Sequence, residues 1–160
     1  MPDMLVKLYD MPEIDLDEQL AKDEIFIKRA MVLDKWKILE YVEDNFSDIC
    51  AEWVNECERA IFNSPPSCYI AVKGEEILGF ACYDVSALGF FGPTGVSSSA
   101  QGKGIGKALL GKCLVSMKEK GYGYAIIGYV EDAVSFYEKT VNAVVIEGTT
   151  TDKSVYNNLI

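Results

Sequence analysis

The chain has 160 residues, 49% of them hydrophobic and 25% charged, with 15 lysines and arginines against 25 aspartates and glutamates and a net charge of −10. That is the composition of one ordinary folded domain over residues 1–160, and its charge disfavours nucleic acid and anionic membrane as partners. Histidine is absent, which excludes Ser-His-Asp and Cys-His nucleophile systems and the usual histidine-bearing catalytic zinc site; any acid or base is a carboxylate, tyrosine, lysine, cysteine, terminus or water.

The opening Met1-Pro2-Asp3-Met4-Leu5-Val6 lacks a basic segment and a long apolar core, and no later run has membrane-spanning length, so the expected compartment is the cytoplasm. Residues 5–8 read as a short first strand. Asp15 or Asp17 caps a predicted helix running to about residue 30, and Asp34 caps a longer one carrying Leu39, Val42, Phe46, Ile49, Trp53, Cys57 and Ile61 at near-helical spacing. This half is the acidic one: residues 1–80 hold 8 lysines and arginines against 18 aspartates and glutamates, while the rest is balanced. Such a surface can concentrate a cationic small molecule or basic peptide, although acidic helix faces also serve solubility alone.

Asn63-Ser64-Pro65-Pro66-Ser67 is a turn after which the pattern changes from helical to extended. Residues 68–72 and 77–85 flank Lys73-Gly74-Glu75-Glu76 and predict an antiparallel hairpin. Residues 88–96 form a further strand interrupted by Gly92-Pro93-Thr94-Gly95, which should bulge or splay because proline cannot donate to a ladder. A helix from Lys107 onward, ending on Lys118, Lys120 and Gly121, is followed by a strand at 124–129, a short helix at 132–140, a strand at 143–147 and a last strand at 155–160. Cys50, Cys57, Cys68, Cys82 and Cys113 lack metal-ligand spacing and read as reduced thiols serving as small apolar residues.

The chemistry concentrates at Gln101-Gly102-Lys103-Gly104-Ile105-Gly106-Lys107, between an apolar strand ending at Val96 and a helix. Alternate glycines remove the side chains that would hold an anion away from the backbone, and bare N–H groups face outward at the positive end of the helix dipole. The P-loop spelling fails, since Gln101 stands where its first glycine would be and Ala108 where its hydroxyl would be. The dinucleotide fingerprint also fails, because the third-glycine position is Lys107 in one register and Leu109 in the other.

The remaining pattern, Gln-x-x-Gly-x-Gly five residues beyond Val96, resembles motif A of the GNAT superfamily of N-acyltransferases. Ala133-Val134-Ser135-Phe136-Tyr137-Glu138-Lys139 resembles the family's motif B, and the likeness extends over roughly residues 68–147. The resemblance implies an α/β fold: a mixed, mostly antiparallel central sheet flanked by helices, with a splayed, V-shaped cofactor slot. It implies acetyl-CoA as cosubstrate without a metal, its pyrophosphate on the backbone of residues 101–107 and its pantetheine arm along the strand ending at Val96. It further implies Tyr137 beside the sulfur as general acid, and a small-molecule or peptide amine, cationic if the acidic half steers it, as acceptor. A homodimer is left open.

Two departures from the family pattern stand out: Val130 occupies a position often held by asparagine, and the strand before motif A has no ionisable residue to act as base. Glu131, Asp132 and Asp84 are the remaining base candidates, each also readable as a cap or solvated carboxylate. Tyr83, Phe90, Phe91 and Tyr129 are candidate acceptor-pocket residues that could equally be core. The rival reading is an acyl-CoA-binding sensor without catalysis; Tyr137 favours the enzyme.

Overall fold

The computed structural model describes residues 1–149 and 151–159. Seven strands form one sheet in the order β2-β3-β4-β5-β6-β1-β7: β1 Met4–Lys7, β2 Phe26–Arg29, β3 Cys68–Lys73, β4 Glu76–Tyr83, β5 Phe90–Val96, β6 Tyr124–Ile127 and β7 Val144–Val145. Every neighbouring pair is antiparallel except β5 and β6, which run parallel. The helices are α1 Asp17–Ala21, α2 Lys35–Phe46, α3 Trp53–Ile61, α4 Ile105–Lys120, α5 Val134–Val141 and α6 Tyr156–Leu159. The mixed, mostly antiparallel sheet flanked by helices is the expected α/β architecture.

Alternation along the strands gives the sheet two apolar faces. On one, Leu78, Ala81 and Phe91 pack with Leu109, Leu110, Cys113 and Leu114 of α4 and with Tyr137 and Val141 of α5. On the other, Ile70, Phe80 and Cys82 pack with Ile38, Val42 and Phe46 of α2 and Cys57, Ala60 and Ile61 of α3. α4 contributes nine buried residues and is the sheet's main support on its side. The thiols of Cys57 and Cys82 meet at 3.7 Å within the second face, where burial pushes the Cys82 thiol well above its ordinary range.

Three expectations are corrected. The predicted helix to residue 30 stops at Ala21, and β2 follows after a turn in which Glu24 takes φ +61°. Phe26–Arg29 leave the helix because they complete the sheet edge, pairing with Tyr69 to Val72. The single long helix from Asp34 is two, α2 and α3, broken between Ser47 and Glu52; the break lets Phe46 and Trp53 pack together against Phe80. The last predicted strand is instead a short 3-10 turn at Thr151–Lys153 followed by α6, and Ile160 lies outside the described residues. Among the described residues no helix is long and apolar enough to cross a membrane.

Candidate active site

β5 and β6 pair only where β5 begins and β6 ends, Phe90 with Ile126 and Phe91 with Ile127. Beyond those pairs β5 continues along β4, with a register shift between Ala81 and Tyr83 opposite Gly92-Pro93, and reaches Val96 still bonded to Gly79. β6 turns the other way. Its extension donates the Val130 N–H to the Pro2 carbonyl at 2.9 Å and the Tyr129 N–H to the Asp3 carboxylate at 3.1 Å, with Tyr129 at φ +51°. The strands separate because each arm is tied to a different neighbour, and among the described residues the backbone of 92–96 facing β6 has no ladder partner. This is the expected V-shaped slot.

The open end of the slot meets the start of α4. Gly102 and Gly104 take φ +82° and +87°, left-handed values that L side chains resist, so the turn 101–104 can expose its backbone as it does. No side chain caps α4, and the first α4 carbonyl bond of the cap runs from the Ala108 N–H to Gly104 at 3.0 Å. The N–H groups of Ile105, Gly106 and Lys107 therefore point out of the helix end, as an anion would need. Ile105 is buried and roots the turn in the core, whereas Gln101, Gly102, Lys103 and Lys107 are exposed. Val96 lies beside Gly106, its Cγ2 3.7 Å from where a Cβ on that glycine would stand. The structure thus joins the strand end and the turn into one continuous edge.

Tyr137 projects from α5 to the closed end of the slot. Its ring meets Phe91 edge-on at 6.4 Å between centroids and Phe136 at 5.1 Å. It is 7% exposed, its hydroxyl hydrogen-bonds no described residue, and burial pushes its pKa up to about 12. The buried face of α5 is Tyr137, Thr140 and Val141, while Phe136 is 40% exposed. Val130 is core, as its aliphatic side chain requires.

The base candidates separate. Asp84 is spent on structure: its carboxylate accepts the Gly89 N–H at 2.7 Å and the Lys120 ammonium at 2.6 Å. Glu131 and Asp132 are exposed on the loop between β6 and α5. Of the four aromatic candidates, Tyr83 and Phe91 lie in the α4-side core, and Tyr83 accepts a hydrogen bond from Arg29 at 2.9 Å. Phe90 and Tyr129 face the opposite side of the sheet, where both pack on Tyr156 at 5.5 and 5.0 Å.

Sequence reasoning missed what holds that side together. Asp3, fully buried, accepts hydrogen bonds from the Ser154 hydroxyl at 2.7 Å and the Val155 N–H at 2.7 Å as well as from Tyr129. Tyr156 then packs on Gly128, so close that a Cβ there would run into its ring. Burial pushes the Tyr156 hydroxyl up to about 12, and Ser86 donates to the Glu56 carboxylate at 2.6 Å. The Asp3 contacts span about the whole chain, and no local pattern announces them.

The acetyltransferase (GNAT) family is matched over residues 33–142. No curated protein matches the sequence. Among solved structures, a GCN5-related glucosamine N-acetyltransferase region of a fungal multi-domain GH3 beta-N-acetylglucosaminidase shares 15% identity at a TM-score of 0.72, covering 91% of this chain and 19% of that one. A GCN5-related N-acetyltransferase from Sphaerobacter thermophilus shares 19% identity at a TM-score of 0.68, covering 91% of this chain and 48% of that one. The chain therefore spans less than half the length of either. A GNAT family acetyltransferase from Brucella melitensis in complex with acetyl-CoA shares 17% identity at a TM-score of 0.56, covering 79% of this chain and 90% of that one. At these identities the likeness is one of fold.

Proposed function

The chain belongs to the acetyltransferase (GNAT) family, an acyltransferase by fold, and on that premise we propose that it transfers an acetyl group from acetyl-CoA to an amine. The observation that supports this most is the slot itself: unpaired β5 backbone between an uncapped helix start at one end and Tyr137 at the other. Pyrophosphate fits the N–H groups of residues 104–107, with Gln101, Gly102 and Lys103 lining the turn and the Lys103 and Lys107 ammonium groups free to approach phosphate oxygens. The pantetheine amides fit the free edge of β5 up to Val96, and that order brings the thioester toward Phe91 and Tyr137.

Transfer requires the amine nitrogen to attack the thioester carbon, forming C–N and breaking C–S, while the nitrogen loses one proton and the sulfur is left as thiolate or thiol. A lysine-like amine with a pKa of ~10.4 is mostly protonated at pH 7, and baring its lone pair costs about 4.6 kcal/mol. Free β5 N–H groups beside the carbonyl stabilise the oxyanion as charge develops. Tyr137, with its pKa pushed up to about 12, is a much weaker acid than a thiol at ~8.5. Its role is therefore to donate a hydrogen bond to the sulfur as charge builds, and the proton that finally neutralises the thiolate comes from the attacking nitrogen through water.

Thiol release from acetyl-CoA over an amine panel, with mass spectrometry of the products, tests the reading. Acceptor-dependent release with a mass gain of one acetyl group is the expected result. Acetyl-CoA binding with no acceptor-dependent release would instead make the protein an acyl-CoA sensor.

A further inference from the structure

Far from the slot, the sheet ends on β2 with an open row of backbone groups. The Ala30 N–H donates to the Cys68 carbonyl at 2.8 Å, and Lys28 and Phe26 stand opposite Ile70 and Val72 in the same ladder. Antiparallel bonding takes every second residue, so the backbone of Ile27 and Arg29 faces outward, away from β3. A proline or a bulge would guard such an edge, and Phe26–Arg29 hold neither. Its charges are turned aside: the Arg29 guanidinium donates to Tyr83 and Ser116 at 2.9 and 3.2 Å, and the Lys28 ammonium reaches Asp34 at 3.0 Å. Apolar surface gathers at the same place. Phe26, Met31, Val32, Leu33 and Trp36 are all more than half exposed, Leu33 at 89%. The opposite edge, β7, is only two residues long.

Charge decides what fits there. Asp23-Glu24-Ile25-Phe26-Ile27-Lys28-Arg29 is acidic where the strand begins and basic where it ends, a polarity that a second copy complements when it runs antiparallel, as a two-fold axis requires. A uniformly acidic strand would answer Lys28 and be repelled by Asp23 and Glu24, so the chain's own sequence is the better match. The position of the axis follows from the side chains. Through Lys28 it would set two lysines directly opposite, a destabilising pair. Through Ile27 it pairs Ile27 with its own copy and Arg29 with Ile25 of the other strand, faces each Phe26 with the other copy's Lys28, and brings Glu24 of one copy toward Lys28 of the other. From this juxtaposition we infer that the protein forms a two-fold dimer through β2, the two sheets joined edge to edge about Ile27. β3 and β4 separate the join from the β5–β6 slot, so each copy keeps a complete slot. The dimer does not depend on what the slot binds.

Sedimentation of the full chain over a concentration series is the first measurement, and the wild type should reach twice its 17.7 kDa mass. Hydrogen exchange should find the Ile27 and Arg29 amides protected in the concentrated sample and released on dilution. A charge exchange then identifies the partner strand. Glu24→Lys leaves lysine facing lysine between its own copies, and Lys28→Glu leaves glutamate facing glutamate, so each alone should dimerise about tenfold or more weakly than the wild type. Mixed in equal amounts, the two variants should recover the wild-type affinity as a heterodimer, a result that damage to either chain cannot imitate. A wild type that stays monomeric throughout overturns the inference and leaves the edge to a different strand. So does a dimer whose affinity ignores both substitutions, or folded variants that stay apart when mixed. Should Lys28→Glu lose its fold together with the Asp34 bridge, the wild-type exchange still decides, because a dimer in which the Ile27 and Arg29 amides exchange as free groups is joined elsewhere.

Discussion

On the proposed reading, Tyr137 combines two roles that a single atom can separate. The ring packs α5 on Phe91, and the hydroxyl, bonded to no described residue, is left for the sulfur. Tyr137→Phe keeps the first and deletes the second, so the thermal midpoint and the acetyl-CoA Kd should hold while kcat falls about 10- to 10²-fold, the worth of one hydrogen bond to a developing anion. A purely structural Tyr137 would show unchanged kcat in the folded fraction once chemistry is confirmed as rate-limiting. Burial raises both Tyr137 and Tyr156 to about 12, above an unfolded tyrosine near 10. The sign follows directly: the stability contributed is complete below pH ~10 and is lost as pH rises toward 12. Thermal scans between pH 9 and 12 should show a steep fall in midpoint that is shallower in Tyr137→Phe and Tyr156→Phe.

Among the elements, the slot depends on β6 being pulled away from β5, and Asp3, just before the short strand β1, supplies much of the pull. Asp3→Asn keeps the volume but weakens the acceptor for Tyr129, Ser154 and Val155, and should cost about 2 kcal/mol in urea denaturation, with Asp3→Ala costing more. Loss of the clamp should also raise hydrogen exchange selectively at Tyr129 and Val155. The parts of this arrangement visible in the sequence are those specified locally: alternating glycines at 102–106, the long apolar stripe of α4, the hairpin around Gly74, and the proline that ends regular pairing in β5. The misses have equally concrete causes. No glycine or proline marks the break between α2 and α3. The apolar Val155-Tyr156 pair looks extended until Asp3, remote in sequence, caps that segment into a helical turn.

At the level of the whole molecule, the acidic first half lies on both faces of the sheet, the segment about α1 packing beside α4, where Asp17 pairs with Lys112, and α2 and α3 covering the other face. The turn with Lys103 and Lys107 belongs to the balanced half. A cationic acceptor should therefore be drawn to the acidic surface and the phosphates held at the turn. Raising salt from about 0.05 to 0.5 M shortens the screening length from roughly 14 to 4 Å. Over that range the KM of a cationic acceptor should rise several-fold, and the KM of acetyl-CoA should not rise in parallel. Equal acceptor KM values across the series would remove steering.

The place of β1 in the sheet sets an order of assembly. It precedes the other six strands in the chain, yet its partners are β6 and β7, more than a hundred residues later. During translation Met4, Val6 and Leu8, all fully buried in the finished protein, must wait as an exposed apolar segment while the β3–β4 hairpin and α4 form from local contacts. Closure by such distant pairing is slow and leaves unpaired strand edges open to other chains. Nascent chains arrested before β6 should accordingly be cut by protease near residues 4–8, and chains released after residue 157 should resist. The side of the slot that Tyr156 covers would thus form after the α4 turn, whose glycines and helix need only local contacts.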